Sequence, residues 1–159
     1  MVIAIIAVIG SYILGVGQSS SQAALSARAA AELTTLSAAL EAYRIVYGDY
    51  PRTADPAVLL QSLIGKIGPT GAVVERRSMI DVAHLSVSGD LDPFTTVTAN
   101  VVDPWAQPYH YAYKSSAPWN QPGYVLFSGG PDQQHAPLLS GGSMDGASPE
   151  NLDNIHLAQ

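Results

Sequence analysis

From Leu25 onward apolar residues recur at spacings of four and three, at Leu25, Ala29, Leu33, Leu36, Leu40, Tyr43 and Tyr47, with Arg28, Glu32, Glu41 and Arg44 between them. That period predicts an amphipathic helix over 25–47, stopped by Gly48, which takes the left-handed C-cap conformation at little steric cost. Arg28 and Glu32 stand four apart and are expected to pair on the solvated face, a contact worth about 0.2 to 0.5 kcal/mol. Ahead of this pattern the chain changes character. Met1 to Gly17 is almost wholly apolar, Ser11 apart, and the first charge is Arg28. As a helix those residues span roughly 25 Å, slightly less than a hydrocarbon core of about 30 Å, so they read as a short membrane span. No basic residue precedes the run, and it passes straight into a helical pattern, unlike a secretory signal peptide. Read as one element, Met1 to Tyr47 is a helix of roughly 70 Å, longer than a domain of this size needs. Its weak point is the stretch of Gly15, Gly17 and Ser19 to Ser21, because glycine costs about 1 kcal/mol of helix propensity and serine competes for backbone bonds. The chain therefore divides at about residue 24: a membrane or core half of the helix over 1–24, and a globular domain over 25–159.

Within that domain Asp55-Pro56 supplies an N-cap followed by proline at the first helical position, and Val58, Leu59, Leu63 and Ile64 give an apolar face, predicting a short helix over 55–64. Strands are expected at Ala72 to Glu75, Met79 to Val87 and Thr95 to Val102. Tyr109 to Lys114 and Tyr124 to Ser128, separated by turn residues, predict an antiparallel hairpin. Tyr109, Tyr111 and Tyr113 alternate and so share one face, where sheet packing is the expected role, with Trp105 and Trp119 as core and loop anchors. Gly129 to Gln159 reads as loop. The fold class is α+β.

Composition narrows the function. Only 13% of residues are charged, against about 25% in ordinary soluble chains, and the uncharged N-terminus accounts for much of the deficit. Seven Lys and Arg against thirteen Asp and Glu give a net charge of −6. Arg76-Arg77, the one basic pair, is too small for phosphate neutralisation, so no nucleic-acid partner is expected. The absence of cysteine excludes disulfides, thiolate-bound metals and thiol catalysis. His84, His110, His135 and His156 show no metal-ligand spacing, Ser128 lies outside a Gly-x-Ser-x-Gly elbow, and no phosphate loop is present. No enzyme is expected. The last 31 residues carry Asp132, Asp145, Glu150 and Asp153 with no Lys or Arg, which by composition alone is a solvated acidic tail.

Four features in order span nearly the whole chain. They are the apolar start Met1 to Gly10 with its long helix, then Gly48-Asp49-Tyr50-Pro51; Asp103-Pro104-Trp105-Ala106-Gln107-Pro108-Tyr109; Tyr124 to Asp132 with its Ser-Gly-Gly-Pro-Asp turn; and Asn151-Leu152-Asp153-Asn154-Ile155. As a set they resemble the type IV pilin-like proteins, above all the major pseudopilins of type II secretion. The chain departs from that family in lacking a basic leader and the early glutamate, and in the long insertion Gln133 to Glu150. In the family register Met1 falls at about the seventh mature position, so the numbering is expected to start downstream of the true start.

The resemblance implies a pilin-like fold, a long helix lying across a small antiparallel sheet. It implies an inner-membrane subunit with its domain in the periplasm, assembled into a homo-oligomeric helical filament that supports protein export across an outer membrane. An assembly ATPase, a platform protein and prepilin peptidase would be its partners. Ile3, Ile6, Ile9, Ile13, Gly15 and Gly17 would then pack in the filament core. It also implies calcium in the C-terminal loop, held by the side chains of Asp132, Asp153 and Asn154 and by backbone carbonyls near Gly129 and Asn151, with Asp145 as an alternative ligand. Oxygen donors suit calcium, a hard cation taking six to eight of them. Two other readings stand beside this one: a membrane-anchored exported binding module, and a surface-pilus or minor pseudopilin subunit.

Overall fold

The structure, a computed structural model, describes the backbone of residues 2–157 and the side chains of residues 20–157. Helix α1, Val2–Tyr47, runs for 46 residues without interruption, about 69 Å at 1.5 Å per residue, joining the two segments that the apolar pattern distinguishes. Ala29, Leu33, Leu36, Leu40 and Tyr43 are buried at the predicted spacing, with Leu25 and Tyr47 half-buried. Gly48 closes the helix at φ +80°, its N–H donating to the Arg44 carbonyl at 2.7 Å.

Helix α2, Pro56–Leu63, starts as predicted, with the Asp55 carboxylate accepting from the N–H groups of Ala57 and Val58. It buries Leu59, Leu60 and Leu63 against α1 and the sheet. Two small antiparallel sheets follow. In the first, β1, Ser86–Val87, pairs with β2, Val101–Val102, in the register Ser86 to Val102 and Val87 to Val101. In the second the order is β3, His110–Ala112, then β4, Val125–Ser128, then β5, Ile155–His156, with Tyr111 opposite Leu126 and Phe127 opposite His156. The chain is α+β, with one long N-terminal helix and small antiparallel sheets. One core joins Leu33, Leu36, Leu40 and Tyr43 of α1 to α2 and to Tyr109, Tyr111, Tyr113 and Leu126 of the hairpin.

Three expectations need correction. The strands expected over 72–75, 79–87 and 95–102 shrink to single bridges and two-residue pairs: Val73 makes only a bridge to Ile67, and Val82–His84 is a 3-10 turn. Within the second segment the Asp81 carboxylate accepts the Ala83 N–H, and just ahead of the third the Asp92 carboxylate accepts the Phe94 N–H, so each offers the backbone an alternative to a ladder there. Secondly, the C-terminal loop is not all loop, since Ile155–His156 returns as a sheet strand against β4. Thirdly, Glu32 does pair with Arg28, at 2.7 Å, but it is only 5% exposed rather than solvated.

Among the described residues no helix is long and apolar enough to cross a membrane. The expected span Met1 to Gly17, with Ile3, Ile6, Ile9, Ile13, Gly15 and Gly17, lies outside the residues whose side chains are described.

Candidate functional site

The alternation of Tyr109, Tyr111 and Tyr113 turns all three rings toward α1, and each buried ring places its hydroxyl on an acceptor. Tyr109 donates to the Glu32 carboxylate at 2.7 Å, Tyr111 to the Pro51 carbonyl at 2.8 Å, and Tyr113 to the Asp49 carboxylate at 2.6 Å. Glu32 is thereby shared between Arg28 on its own helix and Tyr109 on the sheet. Burial alone would raise the pKa of Asp49, but hydrogen bonds from Tyr113, Arg52, Lys114 and the Tyr50 N–H outweigh it and hold the carboxyl down to about 2. The Gly48-Asp49-Tyr50-Pro51 segment is thus the clasp between the end of α1 and the hairpin.

A second node explains the Asp-Pro-Trp and Ser-Gly-Gly-Pro-Asp segments together. Asp103, 2% exposed, accepts from the N–H groups of Trp105 and Gln107 at 3.0 and 2.9 Å and from the Ser128 hydroxyl at 2.5 Å. Ser128 in turn accepts from the Gly130 N–H at 3.1 Å. One buried carboxylate therefore fixes both the turn before β3 and the turn after β4.

The acidic loop leaves from that point. The Asp132 N–H donates to the Asp153 carboxylate at 3.3 Å, so the two predicted acidic ligands meet across a 21-residue gap in sequence. Gly130 makes the approach possible: it stands at φ +68°, and a Cβ there would lie 2.4 Å from the Asp153 carbonyl oxygen. Asn151 closes the loop from inside. Its Oδ1 accepts from the Ala136 N–H at 2.9 Å and from Asn154 Nδ2 at 2.8 Å, while its Nδ2 donates to the Asp145 carbonyl at 2.7 Å. Asn154 is 8% exposed and its Oδ1, buried, has no partner. An orphaned buried acceptor in a loop that also carries two carboxylates fits a hard cation, because such an oxygen is costly to leave unsatisfied. Gly129 packs against Gln133 and Gln134 at the mouth of the same turn, and the Asp145 carboxylate caps Ala147. The predicted set Asp132, Asp153, Asn154, Asn151 and Gly129 is therefore brought to one corner. Among the described residues no group of three His, Cys, Asp or Glu side chains stands close enough to hold a metal, so any cation here would draw on the asparagine and on carbonyls as well as the two acids.

Sequence spacing missed one cluster. His110 of β3 and His135 of the loop lie 25 residues apart, yet their ring centroids are 3.9 Å apart, and His110 also stacks on Phe127 at 4.9 Å. Burial first, and then the neighbouring His135, push the His110 pKa from 6.5 down to about 4, with Asp103 pulling the other way. A base held neutral in the fold takes up its proton more readily when unfolded. Its contribution to stability is complete above pH 6.5 and is lost as the pH falls from there toward 4. The urea midpoint is therefore expected to drop between pH 7 and pH 5, and the drop should shrink in His110→Phe; an equal drop in both proteins would contradict this.

No family model, curated protein or solved structure matches this chain.

Proposed function

We propose that the chain is the structural subunit of a pilin-like filament, a type II secretion pseudopilus, whose task is assembly rather than catalysis. The observation that supports it most is a continuous 46-residue helix of which the second half is committed to the domain by its buried stripe, while the first half is uncharged and apolar in sequence. A helix apolar all round needs either lipid or other helices about it. Held in the membrane by that half and then extracted, subunits would exchange lipid contact for helix-to-helix packing through Ile3, Ile6, Ile9 and Ile13. A head-to-tail contact that does not close on itself then generates a helical filament. An assembly ATPase, a platform protein and prepilin peptidase are the proposed partners, and the inner membrane and periplasm the proposed location. Two cysteines introduced at different positions of the apolar segment test the reading, since they link a filament into multimers and leave a monomeric anchored module unlinked.

The acidic corner adds a proposed calcium site, with Asp132, Asp153 and Asn154 as side-chain ligands and carbonyls near Gly129 and Asn151 completing it. When bound, the cation would neutralise the two carboxylates and tie the two ends of the loop together, which stabilises by linkage. Millimolar calcium is expected to raise the melting temperature of the full chain and magnesium to do so less, because magnesium demands an octahedral set. An unchanged melting curve with calcium would remove the site.

A further inference from the structure

Of the seven Lys and Arg, four are ion-paired: Arg28, Arg44, Arg52 and Lys114. Among the described residues Lys66, Arg76 and Arg77 have no carboxylate within ion-pair distance. Arg76 and Arg77 line a groove of about 270 Å³ with Val46, Ser78 and Met79, and the Arg76 guanidinium lies 5.8 Å above the Tyr47 ring. The same helix end exposes apolar side chains, Ile45 at 83% and Val46 at 49%, and Val73 beyond them is 86% exposed. Exposed Glu75 stands beside Arg76, so the run Glu75-Arg76-Arg77 carries a net charge of +1, and this end is cationic and apolar at once.

The acidic corner has the opposite charge and sits at the other end of the domain. Gln133 beside Asp132 accepts from Gln107 and donates to the Trp105 carbonyl, and Trp105 Nε1 donates to Gln22 of α1. Gln22 precedes Val46 by 24 residues, about 36 Å along the helix. Here too an apolar side chain stands among the charges, Leu152 at 78% exposure next to Asp153. No Lys or Arg follows Lys114 to the end of the chain. Should calcium occupy Asp132 and Asp153, Asp145 and Glu150 keep this loop acidic.

We infer that the Arg76–Arg77 end of one copy docks on the Asp132–Leu152–Asp153 corner of the next, stacking copies head to tail along α1. The inference rests on the filament reading and adds to it the two faces that meet. Each patch is complementary to the other in charge and offers it an apolar contact, and neither is complementary to itself. A contact between two different faces repeats head to tail, and gives an open filament where the rotation does not close into a ring.

The test uses the full chain in its own cell envelope, with Arg77→Cys and Gln134→Cys in one protein. The natural chain has no cysteine, so these are its only thiols. Mild oxidation is expected to give a ladder of multimers in the double variant and nothing beyond dimers in either single variant. Adding Arg76→Glu should lower the ladder about tenfold, and 1 M salt should lower it severalfold, because exposed charges are screened within about 3 Å there. No ladder, where cysteines on the apolar helix do give one, overturns the docking faces and leaves the filament standing. No ladder from either set overturns both. Disulfide-linked bands whose mass includes a different protein overturn the second copy as occupant.

Discussion

Asp103→Ala is expected to destabilise the chain by about 3 kcal/mol. The reason lies in what the carboxylate holds. It is 2% exposed and accepts from two backbone N–H groups and one hydroxyl, and hydrogen bonds to a charged acceptor are worth about 1.5 to 3 kcal/mol each before the partners find substitutes. Alanine would strand the Trp105 and Gln107 N–H groups and the Ser128 hydroxyl where water has little access. An asparagine side chain offers one acceptor in the same place, and the Ser128 hydroxyl can turn to accept from its amide, so Asp103→Asn should cost about 1 kcal/mol. Urea unfolding of the three proteins at pH 7 gives the comparison. Equal midpoints for the alanine and asparagine variants would show that the negative charge, which both lack, and not the acceptor that asparagine keeps, sets the role of Asp103.

Gly130→Ala is the second large effect, about 2 to 4 kcal/mol. A left-handed backbone costs an L-residue about 1 to 2 kcal/mol on its own. Here the methyl would also meet the Asp153 carbonyl oxygen at 2.4 Å, a backbone atom that can yield only by opening the loop. The loss should be local as well as global: amide exchange at Asp132 and Ala136, which donate to Asp153 and Asn151, should accelerate in the variant. Gly129→Ala is the control, because its Cβ would meet atoms of Gln133 and Gln134 at 3.4 Å, a contact the loop can relieve. Similar midpoints for the two alanine variants would contradict the close approach.

These effects show where the sequence could be read and where it could not. The helix was legible because Leu33, Leu36, Leu40 and Tyr43 repeat a period that only one backbone satisfies, and because Gly48 stands where the period stops. The tyrosine row was legible for the same reason at period two. Glu32 was misplaced because its second partner, the Tyr109 hydroxyl, is 77 residues away, and nothing local distinguishes a shared buried carboxylate from a surface one. His110 and His135 were missed likewise, since a loop rather than a spacing brings them together. Two of the three middle strands were shortened for a local reason, the capping carboxylates of Asp81 and Asp92, which compete with the ladder over a few residues. In the acidic loop the candidate ligands were legible only as a likeness to a family. Their convergence depends on Asn151 and on the missing Cβ of Gly130, neither of which composition reveals.

The filament reading is tested most directly by cysteine pairs drawn from Ile3, Ile6, Ile9 and Ile13, oxidised in the native cell envelope. A chain with one cysteine can link to only one other, so single variants stop at the dimer. A pair placed on the two sides of a head-to-tail contact keeps linking. At least one pair is expected to give a ladder extending past the tetramer, and its single-cysteine parents should give none. If no pair passes the dimer, the apolar helix is a membrane anchor and the chain is an exported binding module rather than a filament subunit.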